Sequence, residues 1–307
     1  MTQHFDIDYQ YLIKENLLKV KQYDELKVLK FTNKAFFKAL WDENLVEFRG
    51  LVLDNEDNIV TYPFTKVFNF NEKGIGGRKT KVDRDREVLA VEKINGFLCN
   101  VSVFNNELMY STTGTLDSDY AKLGQRVIEN NIDTNSLYQV LSDHSQTFMF
   151  EIVDPTDPHI VPEEPGAYLI GGRTNELHSS LIPEKQLDTI ADRIRAKRPN
   201  CFYYERFSDL LEFSKKDMVT EGYMVKDYYT EEVLCKLKNR HYLIKKFIMR
   251  AKPDKIWGGM FDEDIQDVVD WVKNNYDKKQ WSDLHEQERR QILENEFFQL
   301  ENEYAND

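Results

Sequence analysis

The chain has 307 residues, 41% apolar and 13% aromatic with few Gly and Pro, which fits a globular protein with a substantial core and excludes a disordered one. No run of about 18 apolar residues occurs and residues 1–6 lack the basic and apolar regions of a signal peptide, so neither a membrane span nor a secretory leader is expected. The net charge of −13 argues against coating nucleic acid through many Lys/Arg–phosphate contacts, but permits an enzyme that grips a strand end with a few local cations.

In chain order, Tyr9, Leu12, Ile13 and Leu17 have helical spacing and predict a helix over residues 9–20. A second helix is predicted over 33–42, with Phe36, Phe37, Leu40 and Trp41 as its apolar face. From Phe48 the period shifts toward two: 51–53 and 59–62 read as strands joined by the turn-rich 54–58. Further strands fit 88–93, 97–104, 107–112, 147–153, 167–171, 222–227 and 232–238, and helices fit 118–131, 184–197 and 205–213. Strands in hairpin-like succession with interspersed helices predict an α+β fold of antiparallel sheets. A boundary is expected near 251–254, beyond which the pattern is helical only: Ile265, Val268, Val269 and Val272 share one face, and another helix covers roughly 281–303. Residues 247–307 hold eight Lys/Arg against fifteen Asp/Glu, a poor composition for an RNA grip.

Lys93 stands at the lip of a strand just before the turn at Gly96; alone, such a lysine is an ordinary surface residue. Strand alternation in Val233-Leu234-Cys235-Lys236-Leu237-Lys238 puts Lys236 and Lys238 on one face, where two point charges can clamp phosphate. Glu221 opens a strand and Glu151 lies inside a strongly apolar one, where a charge is rarely left without a partner. Three lysines and two carboxylates of this kind suggest a site for a metal-bound triphosphate, with a lysine amine as nucleophile once its pKa is depressed by neighbouring cations or desolvation. The glycines of Lys73–Lys79 lack the G-K-[ST] ending and the strand-to-helix context of a P-loop, so this segment reads as a mobile basic loop, with RNA contact the lesser alternative. The six histidines show no zinc spacing. Cys99, Cys201 and Cys235 form an odd, scattered set; Cys99 and Cys235 read as buried small hydrophobes, which fits a reducing, cytoplasmic setting.

Taken together and in order, these segments resemble the phage T4 RNA ligase 1 family of ATP-dependent RNA ligases, within the covalent nucleotidyltransferases. The likeness is spread over roughly 45–246: Arg49-Gly50, Lys66-Val67-Phe68-Asn69-Phe70-Asn71-Glu72, Lys93-Ile94-Asn95-Gly96, Phe150-Glu151-Ile152-Val153, Glu221-Gly222 and Lys236-Leu237-Lys238 with Tyr242. The resemblance implies a nucleotidyltransferase domain (1–246) with a small helical C-terminal domain (247–307), and Lys93 as the adenylated nucleophile assisted by Lys236 and Lys238. It implies an ATP site made of Arg49, Lys66, Phe68, Glu92, Gly96, Glu151, Gly222 and Tyr242, with Glu221 near Mg²⁺ or Mn²⁺. It further implies a cytoplasmic monomer (host cytoplasm if viral) that joins 5′-phosphate and 3′-hydroxyl RNA ends, with tRNA a candidate substrate in RNA repair. The alternatives are a capping-type guanylyltransferase and a non-catalytic RNA-end binder. The family usually carries Asp at position 95 and Ser at 97; Asn95 and Phe97 here predict an altered rate or pH optimum of adenylation. The stretch 110–115 lies where the family carries a lysine, and no role is transferred to it.

Overall fold

The computed structural model describes residues 3–261 and 263–299. After the short helix α1 (Gln10–Lys14), strands β1 (Leu18–Gln22), β2 (Leu26–Phe31), β3 (Arg49–Asp54) and β4 (Ile59–Thr61) form an antiparallel sheet in that order, with α2 (Asn33–Phe37) between β2 and β3. The helix expected over 9–20 stops at Lys14 because Asn16 takes a left-handed φ of 55°. Leu18 and Val20 then alternate as a strand, and β1 and β2 gain their hydrogen bonds from each other and from β3. The helix expected over 33–42 also ends early, since Ala39 adopts φ 51°. Its assumed buried face divides: Trp41 enters the core, whereas Phe36, Phe37 and Leu40 are exposed.

Two further antiparallel sheets follow. One has the order β7 (Glu107–Ser111), β6 (Phe97–Phe104), β8 (Gln146–Val153), β9 (Gly166–Thr174); the other has β10 (Cys201–Tyr204), β5 (Val88–Glu92), β11 (Gly222–Asp227), β12 (Val233–Lys238). The first is covered by α3 (Asp119–Asn131), α4 (Thr134–His144) and α5 (Glu184–Ile194), whose Ile128, Leu141 and Leu187 pack on Phe148, Phe150 and Leu169. The second carries α6 (Phe207–Lys216), with Phe207 and Leu210 against Val88, Tyr223 and Val225. Sequence periodicity missed α4, a polar helix capped by Asp133, and β10, a short strand whose exposed residues alternate no apolar pattern. Cys99 and Cys235 are buried as expected and Cys201 is exposed.

Helix α7 (Arg240–Arg250) spans the expected division after residue 246 and contributes Ile244 and Ile248 to the core of the C-terminal helices α8 (Pro253–Gly258), α9 (Glu263–Asn275), α10 (Lys278–Asp283) and α11 (Glu286–Ile292). Val268, Val269 and Val272 are fully buried there, as their spacing predicts. The single helix expected over 281–303 is instead broken at Leu284 and His285, and continues past α11 as a π-helical turn (Leu293–Phe297); residues 300–303 lie outside the described residues. No described helix is long and apolar enough to cross a membrane.

Candidate active site

Pairing register assembles the site. Gly222 of β11 lies opposite Lys238 of β12, and its carbonyl accepts a hydrogen bond of 2.9 Å from the Lys93 N–H just beyond β5. Lys93 and Lys238 thus flank Glu221 from the ends of the two neighbouring strands, β5 and β12. Gly222 is required where it stands: its φ is +137°, and a Cβ would lie 2.1 Å from the Leu237 carbonyl oxygen. Gly96 is required for the same kind of reason, since a Cβ there would lie 2.2 Å from the Ile152 carbonyl oxygen. That close approach lets the Gly96 N–H donate to Glu151 Oε1 at 3.1 Å.

Glu221 is the electrostatic centre. Lys93 Nζ sits 3.1 Å from its Oε2, Lys238 Nζ 2.9 Å from its Oε1, and Asn95 Nδ2 2.6 Å from Oε2. Burial opposes ionisation of Glu221, but Lys93 and Lys238 outweigh it and hold the carboxyl below its usual range. Burial also disfavours the Lys93 ammonium, yet Glu151 and Glu221 together raise its pKa. The expectation that neighbouring cations depress Lys93 is thereby corrected, because the two carboxylates beside it prevail. The lysine most strongly depressed is Lys236: desolvation first, then Lys66, Arg49, Lys238 and Lys93, bring it down to about 7. Glu151 is raised by burial despite the attraction of Lys93.

Arg49, Glu92, Lys93, Glu151 and Lys236 line one cleft. Its walls also include Lys226 and Glu184, a buried pair in direct contact, with Arg198 closing on the other oxygen of Glu184. Lys66 and Phe68 lie in the adjoining cavity. They are tied in because the segment 68–70 runs parallel to β12, with Lys236 N–H donating to Phe68 O and Phe70 N–H to Lys236 O, each at 2.8 Å. Lys66 Nζ rests 4.3 Å above the Phe68 ring and 2.9 Å from Glu72. Tyr242 does not line the cleft; its buried ring lies 4.6 Å beneath Lys238 Nζ, so it positions that lysine.

Asn95, singled out from the sequence, acts through named partners, whereas Lys30 escaped sequence reading. Asn95 donates to Glu221 and accepts the Val161 N–H at 2.9 Å, tying the turn after Lys93 to the loop after β8. Lys30, opposite Arg49 in the β2–β3 register, reaches Thr113 Oγ1 at 3.3 Å, and burial followed by Arg49 lowers its pKa. It places a cation beside the 110–115 stretch, although its own sequence neighbourhood gives no hint of this. Phe97 packs its ring against Tyr120 at 4.9 Å.

Among the described residues no group of three or more His, Cys, Asp or Glu is gathered to cage a metal. Mg²⁺ commonly binds through one or two carboxylates together with substrate phosphates and water. Glu221 and Glu151, oxygen donors beside a cluster of lysines and an arginine, fit such a phosphate-borne ion.

A family model described as RNA ligase, of the T4 ligase 1 type, matches residues 47–255 and so contains every residue of this site except Lys30. The chain belongs to the T4 RNA ligase 1-like family. A comparison with curated proteins found no match. Among solved structures, an archaeal ATP-dependent RNA ligase superposes with a TM-score of 0.59 at 14% identity, covering 92% of this chain and 74% of that one. A putative ATP-dependent DNA ligase from Aquifex aeolicus gives 0.59 at 12% identity, covering 97% of this chain and 79% of that one. At these identities the likeness is one of fold: α+β, with antiparallel sheets and a helical C-terminal region.

Proposed function

We propose that this RNA ligase family member is an ATP-dependent enzyme that joins a 5′-phosphate to a 3′-hydroxyl through a lysyl-AMP on Lys93. The observation that carries the reading is the placement of Lys93 Nζ, 3.1 Å from the buried Glu221 in a cleft whose walls bear Arg49 and Lys236. In the first step Nζ, having lost a proton, attacks the α-phosphorus of ATP. The N–P bond forms and the bond to the bridging oxygen breaks, releasing pyrophosphate. An oxygen of the RNA 5′-phosphate then attacks the same phosphorus, returning Lys93 and leaving AMP on the 5′ end. Finally the 3′-hydroxyl attacks the 5′-phosphorus, loses its proton and expels AMP.

Each side chain has a part that its position supports. Lys236, close to neutrality near pH 7, gains a proton as phosphate charge arrives and so becomes a stabilising cation. Arg49 and Lys66 hold phosphate oxygens, Lys238 fixes Glu221, and Glu92, Glu151, Gly96 and Gly222 shape the nucleotide side of the cleft. A Mg²⁺ or Mn²⁺ held by Glu221 and Glu151 together with the phosphates would offset the carboxylate charge that raises Lys93 and would favour its neutral amine. To the same reading belong an adenylyltransferase unit over 1–246 with a helical appendage over 247–307, a cytoplasmic monomer, and tRNA as a candidate substrate.

The test is incubation with α-labelled ATP, followed by circularisation of a 5′-phosphorylated RNA. Label is expected on the protein, and Lys93→Ala should remove it. Label from GTP alone would indicate a capping-type transferase, and no adduct with any divalent cation would overturn the reading.

A further inference from the structure

One surface of this acidic chain has the opposite character, and it adjoins the phosphate end of the cleft. Residues 30–41 and 73–81 together contain seven Lys/Arg and no Asp/Glu, in a chain whose net charge is −13. The two segments meet in space: the Gly76 N–H donates to the Trp41 carbonyl at 3.1 Å, and Gly74 packs on the Phe68 ring. Lys38, Lys73, Arg78 and Lys79 are exposed, and among the described residues none forms an ion pair with a carboxylate.

Rings lead from this surface into the site. Phe37, 79% exposed, contacts Phe36 with centroids 5.4 Å apart; Phe36 lies 6.3 Å from Trp41, and Trp41 5.7 Å from Phe68, above which Lys66 sits. A solvent-exposed aromatic pair beside unpaired cations is what single-stranded nucleic acid requires, since every base offers a face to stack and every nucleotide a phosphate to pair. A protein partner is the poorer fit, because protein interfaces are depleted in lysine.

We propose that this surface is the docking site for the single-stranded RNA next to its reacting end, with bases stacked on Phe36 and Phe37 and phosphates held by Lys38, Lys73, Arg78 and Lys79. The proposal rests on the ligase reading for the choice of RNA and names where that substrate lies. It also explains how a chain with excess acid grips a polyanion: the cations are concentrated on one short path and the acidic C-terminal helices take no part.

The experiment uses the full chain with Phe37→Ala and, separately, the double variant Arg78→Ala/Lys79→Ala. None of these residues lines the cleft, and each is exposed, so truncation leaves the core intact. Protein–AMP formation from ATP without RNA should be unchanged in both. Affinity for a fluorescent 5′-phosphorylated single-stranded RNA, read by anisotropy, should fall about ten-fold in each variant, with a matching rise in the KM for sealing. In the double variant the slope of log affinity against log salt should shrink by about 0.7 for each phosphate that the protein no longer neutralises. Unchanged RNA affinity and sealing in both variants would overturn the proposal, as would a wild-type protein that binds no RNA. A concentration-dependent dimer abolished by Phe37→Ala, with RNA affinity intact, would assign the surface to a second copy of the chain and equally overturn it. Failure of wild-type adenylation would instead sink the ligase reading, while the anisotropy arm still decides where RNA binds.

Discussion

Glu221 Oε2 receives both Lys93 and Asn95, at 3.1 and 2.6 Å, and this shared acceptor explains why an amide suits position 95 here. An ionised aspartate has no proton to donate and would set a second carboxylate against a buried one. Asn95→Asp is therefore expected to slow protein–AMP formation about ten-fold or more, the cost of one missing hydrogen bond and one like-charge repulsion. Single-turnover labelling with α-labelled ATP reads this directly; an equal or faster rate would show that the amide does not position Glu221. Lys236 makes a second prediction. Its pKa of about 7 lies below the ordinary lysine value of 10.5, so between these pH values the native chain binds fewer protons than the unfolded one. The site's contribution to stability thus rises with pH across that window, and Lys236→Met should flatten the rise in chemical denaturation. ATP binding above pH 7 should take up a proton in the wild type, visible as a buffer-dependent heat in calorimetry, and should lose that uptake in Lys236→Met.

At the level of elements, the site depends on β-strand register more than on any loop. β11 is central: β5 on one side brings Lys93, β12 on the other brings Lys236 and Lys238, and Glu221 stands just before it. A Cβ at Gly222 must move the Leu237 backbone, which lies between the two lysines of β12. Gly222→Ala should cost about 1–3 kcal/mol for the strained φ alone, lowering the thermal midpoint and adenylation together. Loss of activity with an unchanged midpoint would mean that the glycine serves only ligand approach. The alternation of Lys236 and Lys238, and the lip position of Lys93, were legible in the sequence because a strand's period of two is local. The strands β1 and β2 were not, because Leu18–Phe31 becomes sheet only through pairing with β3. The exposure of Phe36, Phe37 and Leu40 was equally hidden, since a left-handed residue at Ala39 turns Trp41 inward and leaves the others outside.

For the whole molecule, the C-terminal helices share a core with α7, through Ile244 and Ile248 packed near Val268, Trp281 and Leu293. Trp281 is fully buried, so Trp281→Ala should cost about 3–5 kcal/mol of cavity and transfer energy. Because α7 follows β12 with only Asn239 between them, the substitution should lower one cooperative transition in calorimetry; two separate transitions would show that the tail unfolds by itself.

By itself the sequence determined the class of the fold and the order of the charged segments, because strand periodicity and motif order are carried along the chain; the family resemblance singled out Arg49, Lys66, Lys93, Glu151, Glu221, Lys236 and Lys238 as the proposed set. Only the tertiary structure decided which charge opposes which: that Glu221 binds Lys93, that Lys236 is the lysine driven toward neutrality, and that Asn95 and Lys30 join the group. Coulombic energy and desolvation depend on distance and burial, and neither is set until distant strands pair.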